Sequence, residues 1–329
     1  MASFAPASLR YRRAAVRDLA WLVLDGALEL PAGSGTLAAV ALDEAERGEL
    51  LDLLAAWDRE PADDWLGPIE PHLRLGRYTE RLIGAWLRHS QLIRLVAMNW
   101  PLRENRVTRG EADFLVERLG RACGGLQLWE VACKVYLGVP GGGWLGPAQN
   151  DSLAAKLSRI RSHQLRLIDH AGFRDAWGTG WTARAWVAGW LLGPAQSLPL
   201  QPPACAGARI ACAWAEAGDP SAAIAEGHAR ALGVTEWWVL PRRRWLRPVF
   251  ADEPVGQRLA ELPELPQAVC LPGQVNQRGP QPLMLAGIRW IDAGAQPFAV
   301  EAMRLMLVPA GWLEAAGGSS PARDRPVRA

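Results

Sequence analysis

The first clear pattern along the chain is helical. Asp43 stands where a helix N-cap belongs, and Leu50, Leu51, Leu53 and Leu54 form the apolar side of a segment running to about Trp57. Pro61, Pro68 and Pro71 then mark a linker, after which a second helix is expected from about Leu73 to Leu95. Tyr78, Leu82 and Trp86 lie along its stripe, with Glu80 and Leu87 at the margin. Beyond Pro101 the period becomes two. Glu111, Asp113 and Leu115 share one face of a short strand, and Ala112, Phe114 and Val116 share the other. A turn containing Gly120, Gly124 and Gly125 leads to the longest strand signal, Leu126 to Leu137. Trp129, Val131, Cys133, Val135 and Leu137 make one face of that strand apolar, while Glu130, Ala132, Lys134 and Tyr136 occupy the other. A Gly/Pro-rich loop from Gly138 to Pro147 follows, and Asn150 or Asp151 is expected to cap a helix reaching about Asp169.

The remainder is patterned less sharply. Trp177 with Trp181, and Trp186 with Trp190, sit at helical spacing. Short strand-like runs fall at Arg209–Trp214, Thr235–Leu240, Pro282–Ile291 and Met303–Val308. The pattern divides the chain into a helical N-terminal segment (1–70), an α/β core with a mixed sheet (71–217), a C-terminal α/β extension (218–316) and a tail (317–329) whose composition reads as disordered.

Composition narrows the class. Of 329 residues, 50% are apolar and 21% charged, which excludes collagen-like, coiled-coil, disordered and disulfide-scaffold chains. Lys and Arg number 36 against 34 Asp and Glu, so the net charge of +2 gives no global pull on nucleic acid; a polyanion site has to be local. The five cysteines form no CxxC pair, and with the five histidines they offer no zinc spacing. Free, mostly buried thiols fit a reducing cytoplasm, and Asp18 and Asp25 interrupt the only apolar stretch near the N-terminus that could act as a signal peptide. Among the 36 cations only Lys134 and Lys156 are lysines. In a chain that writes almost every other cation as Arg, they mark places where a compact ammonium is needed in preference to a planar fork.

Those lysines fall within the unit that carries the candidate chemistry. If the two strands form an antiparallel hairpin with Glu117 near Leu126, Asp113 falls opposite Glu130, and two facing carboxylates repel unless a cation lies between them. Lys134 on the same face supplies one charge and a divalent ion would supply the rest. Oxygen ligands of this kind suit Mg²⁺ or Mn²⁺, with Asp113 and Glu130 as the metal ligands. In the following helix, Lys156, Arg159, His163, Arg166 and His170 make a single basic stripe suited to a phosphodiester backbone. Read without ligands, the same residues are a wet hairpin face and a solvated helix face.

Four stretches carry a resemblance: Arg74-Leu-Gly-Arg-Tyr-Thr-Glu80, Thr108-Arg-Gly-Glu-Ala-Asp-Phe114, Trp129-Glu-Val-Ala-Cys-Lys-Val-Tyr-Leu-Gly138 and Trp144-Leu-Gly-Pro-Ala-Gln-Asn-Asp151, with Trp245-Leu-Arg247 further on. Together they resemble an uncharacterised bacterial domain-of-unknown-function family placed among PD-(D/E)XK nuclease-like proteins. The resemblance implies a PD-(D/E)XK-like αβα core and metal-dependent hydrolysis of nucleic acid, DNA foremost. It implies Glu80 as the helix carboxylate, Asp113 and Glu130 as metal ligands assisted by the carbonyl of Val131, and Lys134 as the catalytic lysine, with Glu111 and Lys156 as auxiliaries and Arg159, His163 and Arg166 on the nucleic acid. One departure matters. The superfamily places its lysine two residues after the acid, where this chain has Ala132, and Lys134 lies about 7 Å further along the strand. Either the metal site is shifted, or Lys156 reaches in from the helix, or hydrolysis is lost and the scaffold is a non-catalytic nucleic-acid or protein-binding module.

Two other patterns compete. Gly141-Gly-Gly-Trp-Leu-Gly146 matches GxGxxG, but the preceding strand carries charges and Pro147 delays the helix past the last glycine, which argues against a dinucleotide site. Trp237, Trp238 and Trp245 flank Arg242, Arg243, Arg244 and Arg247; core packing is the favoured reading, with nucleic-acid contact second.

Overall fold

The computed structural model describes residues 10–31, 34–59, 61–70, 73–104, 107–120, 124–197, 210–249, 275–276, 279–292 and 298–318. The tail beyond Gly318, together with Cys123, Cys205 and Cys270, lies outside the described residues.

Two helices come first: α1 (Ala14–Ala20) and α2 (Glu44–Trp57). Asp43 caps α2 as its position implied. Its carboxylate accepts the Glu46 amide at 2.9 Å while Glu46 accepts the Asp43 amide at 2.9 Å, so two otherwise orphaned donors are satisfied reciprocally. After the single turn α3 (Ala62–Trp65), whose Trp65 stacks on Trp57 at 4.3 Å, comes α4 (Leu75–His89). The second helix expected to run to Leu95 therefore ends early. Ser90 leaves the helix in an extended conformation and its hydroxyl accepts the amides of Leu92 and Ile93, so the apolar residues that follow start a strand.

That strand, β1 (Ile93–Glu104), opens a meander with β2 (Val107–Arg118) and β3 (Gly125–Gly138). The two-residue β4 (Trp144–Leu145) folds back on β3. A crossover then passes through α5 (Leu153–Arg159), a π turn (Ile160–Gln164), a 3₁₀ turn (Leu167–Asp169) and α6 (Ala171–Trp177) to β5 (Thr182–Pro194), which pairs parallel with β3. The expected helix through Asp169 is thus shorter, and Ser152, not Asn150 or Asp151, caps it by accepting the Ala155 amide at 3.2 Å. The helical spacing of Trp186 and Trp190 also resolves differently. An interval of four is even, so on β5 both indoles fall on one strand face.

The chain continues through β6 (Ala211–Glu216), α7 (Pro220–Ala231), β7 (Glu236–Val239), the short pair β8 (Val275–Asn276) and β9 (Gly279–Pro280), β10 (Leu283–Ile291), β11 (Phe298–Val308) and α8 (Trp312–Gly318). The strand-like runs of the C-terminal third are strands, apart from Arg209, which lies outside the described residues. One nine-stranded mixed sheet, ordered β1-β2-β3-β5-β6-β11-β10-β7 with β4 beside β3, receives strands from both the expected core and the expected extension. The structure is a mixed α/β fold.

Helices cover both faces of the sheet. On one, α1, α2 and α4 pack on an aromatic core in which Trp86 lies 6.3 Å from Trp129 and 6.1 Å from Trp186, and Trp21 stacks on Trp190 at 5.3 Å. Full burial of side chains this large contributes about 2–3 kcal/mol each relative to exposure, which explains how much of the tryptophan complement is spent here. On the other face, Leu128, Ala132 and Tyr136 of β3 meet the crossover helices, and the alanines of β6 meet those of α7. Trp238 and Trp245 are buried in the core, and Arg247 is buried against Asp18 at 2.7 Å, so this part of the Trp/Arg cluster is structural. No helix among the described residues is long and apolar enough to cross a membrane.

Candidate active site

The β2–β3 ladder fixes the register the hairpin required, with Glu117 opposite Leu126 and Phe114 opposite Trp129. Phe114 and Trp129 are the last of the paired positions. Beyond them Asp113 turns its carboxylate across to β3, where Oδ2 accepts the Val131 amide at 2.8 Å. The backbone group the structure assigns to this acid is therefore the Val131 N–H. The next residue inward, Glu130, is buried, with a side chain 3% exposed.

Glu130 is held from the crossover. Its Oε1 accepts Lys156 Nζ at 3.1 Å and also the Gln164 amide, while Lys156 donates to Gln164 Oε1 at 3.1 Å, closing a triangle. The π turn brings the two crossover residues together. Eight residues of regular α-helix would rotate Gln164 roughly 80° away from Lys156. The wider turn, closed by the Leu165 amide on the Ile160 carbonyl at 2.8 Å, consumes extra residues and returns Gln164 to the same side.

The other carboxylate oxygen, Glu130 Oε2, is buried and has no hydrogen-bond partner among the described residues. Asp113 beside it is pushed up to about 8, chiefly by burial, then by the charges of Glu130 and, further off, Glu80; the Val131 N–H and Lys156 act the other way. Glu130 is also raised, again by burial, with Lys156 the strongest opposing influence. Two desolvated acids side by side need a positive charge between them. A proton kept on Asp113 and donated to Glu130 is one solution, and a metal cation replacing that proton is another. The chemistry of the donor set, all oxygen with one open buried carboxylate position, fits Mg²⁺ or Mn²⁺, which take one or two carboxylates and fill the remaining positions with water and phosphate. Three His, Cys, Asp or Glu side chains do not gather into a metal-holding group among the described residues, so this fit rests on two carboxylates.

Of the other expected residues, Lys156 and, through its charge, Glu80 act on this pair; the rest are held elsewhere. Glu80 on α4 is 15% exposed and held by Arg77 at 2.7 Å; Arg77 also reaches Glu111 at 3.5 Å. Lys134 does not join Glu130 but pairs with Asp151 at 2.9 Å in a half-exposed contact. Ala132, two residues after Glu130, is buried against Ile160 and Ala185. The basic stripe is broken: Lys156 turns inward, Arg159 is exposed, His163 lies half-buried near Gly110, and Arg166 pairs with Asp169 at 2.7 Å. Gln164 is the residue that sequence reasoning missed. Its signal was a polar amide one turn beyond Ile160, on the otherwise apolar side of the expected helix. β4 lies within the glycine motif, and Pro147 to Ser152 separate its last glycine, Gly146, from α5, so its backbone does not open a helix as a dinucleotide loop does.

Residues 17–308 match the model of a family described as "Domain of unknown function (DUF1853)". Neither a curated protein nor a solved structure matches the chain.

Proposed function

We propose, from the premise that this chain belongs to the DUF1853 family, that it hydrolyses phosphodiester bonds in nucleic acid, DNA foremost, with Mg²⁺ or Mn²⁺ held by Asp113 and Glu130. The observation that carries the reading is the pair of buried carboxyl groups, Asp113 and Glu130, close enough to share a proton that a cation could replace, with a lysine fixed on Glu130 Oε1. The order helix, three antiparallel strands, helix and parallel strand, with acids on the second and third strands, supports the PD-(D/E)XK resemblance. A divalent ion bound here would polarise a phosphoryl oxygen and acidify a water molecule. The protein's share is positional. Val131 aims Asp113, Gln164 and Lys156 fix Glu130, and the Lys156 ammonium places a preorganised positive charge where negative charge develops. Lys156 takes the role that the resemblance gives to a lysine two residues after the acid, because Ala132 leaves that space to a side chain from the crossover.

The second reading, a binding module without catalysis, is favoured by Ala132 itself and by the diversion of Lys134 to Asp151. Incubating the protein with single- and double-stranded DNA across a Mg²⁺ and Mn²⁺ titration separates the two. Cleavage that Asp113→Asn abolishes while sparing DNA affinity supports hydrolysis; binding with no cleavage under any divalent metal supports the binding module.

A further inference from the structure

On the outer side of α4 a pocket of about 400 Å³ opens between that helix, β1 and the segment before α4. Arg77, Arg81 and Arg88 share one helix face with Gly84, at intervals of four, three and four. Gly84 is what lets β1 close the pocket, since a Cβ there would meet Met98 Sδ at 2.8 Å. Arg77 is satisfied by Glu80 and Glu111. Arg81 donates only to the Leu66 carbonyl at 3.3 Å, and neither Arg81 nor Arg88 meets a carboxylate among the described residues, although Glu70 lies on the same wall. Asn99 completes the lining with two anomalies. It is held at φ 52°, a left-handed conformation that is uncommon outside glycine, and its Oδ1 is buried with no hydrogen-bond partner among the described residues. Leu66, Leu73 and Met98 supply an apolar wall.

Two guanidiniums that meet no carboxylate among the described residues select a phosphoryl group, a buried acceptor oxygen selects a hydroxyl or N–H donor, and an apolar wall selects a ring. We infer that this pocket binds a nucleotide, with Arg81 and Arg88 on the phosphate and Asn99 Oδ1 accepting from the sugar or base. The pocket borders the proposed hydrolytic site, since Glu80 lines it and acts on Asp113 by its charge, and Asn99 lies on β1 between the positions that pair with Phe114 and Ala112; the binding inferred here needs no metal.

Calorimetric titration of the full chain in EDTA at low salt, with adenosine 5′-monophosphate and with inorganic phosphate, tests it. The nucleotide is expected to bind more tightly than phosphate, and Arg81→Gln or Arg88→Gln to weaken it about tenfold or more. Asn99→Gly should erase the advantage of nucleotide over phosphate without lowering the melting temperature, because glycine adopts the same φ freely. The inference is overturned if the nucleotide does not bind at millimolar concentration, if both arginine variants bind it normally, or if binding requires Mg²⁺. Phosphate binding as tightly as the nucleotide would overturn the nucleoside assignment.

Discussion

Lys156 Nζ stands 3.1 Å from Glu130 Oε1, although 26 residues separate them in sequence, while Lys134, on the same strand as Glu130 and only four residues away, points to Asp151. The two lysines of the chain are therefore unequal, and their environments say by how much. The Lys156–Glu130 pair is largely buried, with side chains 18% and 3% exposed; the Lys134–Asp151 pair is at 40% and 34%.

Lys156→Met is expected to leave Glu130 buried without its cation, raise the titration of the acid pair further and lower stability by about 3–5 kcal/mol in the absence of metal. If the protein is a hydrolase, cleavage should fall about 100-fold or more. Lys134→Met should change stability by no more than about 1 kcal/mol and leave most of the activity. Thermal melts and cleavage rates of the two variants, measured side by side, check the asymmetry; equal losses would contradict it.

Stability should depend on pH through Asp113. In the fold its carboxyl group keeps its proton up to about 8, whereas the unfolded chain releases it near the ordinary value of 3.8. The folded state therefore holds more protons between those limits, and the stabilisation, full below 3.8, is lost as pH rises through about 8. Asp113→Asn should remove this dependence and raise stability in EDTA at pH 8 by up to a few kcal/mol. A divalent ion competes with that proton, so Mg²⁺ or Mn²⁺ affinity should increase over the same range. Denaturant titrations at pH 5 and 8, with and without metal, give the signs.

Gly189→Ala should be among the costliest small substitutions. The residue sits on β5 at φ 135°, and an added Cβ would come within 1.7 Å of the Lys134 carbonyl oxygen across the parallel ladder. Its amide also bonds the Gly26 carbonyl at 3.1 Å, tying the N-terminal segment to the sheet. A loss of at least about 2 kcal/mol is expected on urea unfolding.

Arg304 and Glu301 form an ion pair with both side chains fully buried, and the guanidinium lies 4.1 Å from the Trp190 ring centre. Glu301→Ala strands that cation in the core, and a loss of about 3–5 kcal/mol is expected in the same assay. Replacing both residues with methionine should recover much of it.

The residues around the acid pair show how legible this protein is. Asp43 stood where a helix cap belongs, and a period of two from Glu111 to Glu117 and from Leu126 to Leu137 indicated two strands, whose assumed pairing of Glu117 with Leu126 the structure reproduces. These are local signals, written in neighbouring positions. The end of α4 was hidden because Ser90 decides it by bonding two later amides, and nothing in the apolar run after it distinguishes a helix from a strand. Trp186 and Trp190 misled for a simpler reason: a spacing of four satisfies both periods.

From the sequence alone came the acids, their shared strand face, and the singling out of two lysines among many arginines. Which lysine meets Glu130 was decided in three dimensions, by a parallel crossover that lays α5 over β3 and by a π turn that carries Gln164 back beside Lys156. Alternation along a strand fixes only the side on which a group lies. The depth at which it is buried, and the partner that meets it there, are set by elements distant in the chain, and burial is what turns Asp113 and Glu130 from two wet carboxylates into a site that requires a positive charge.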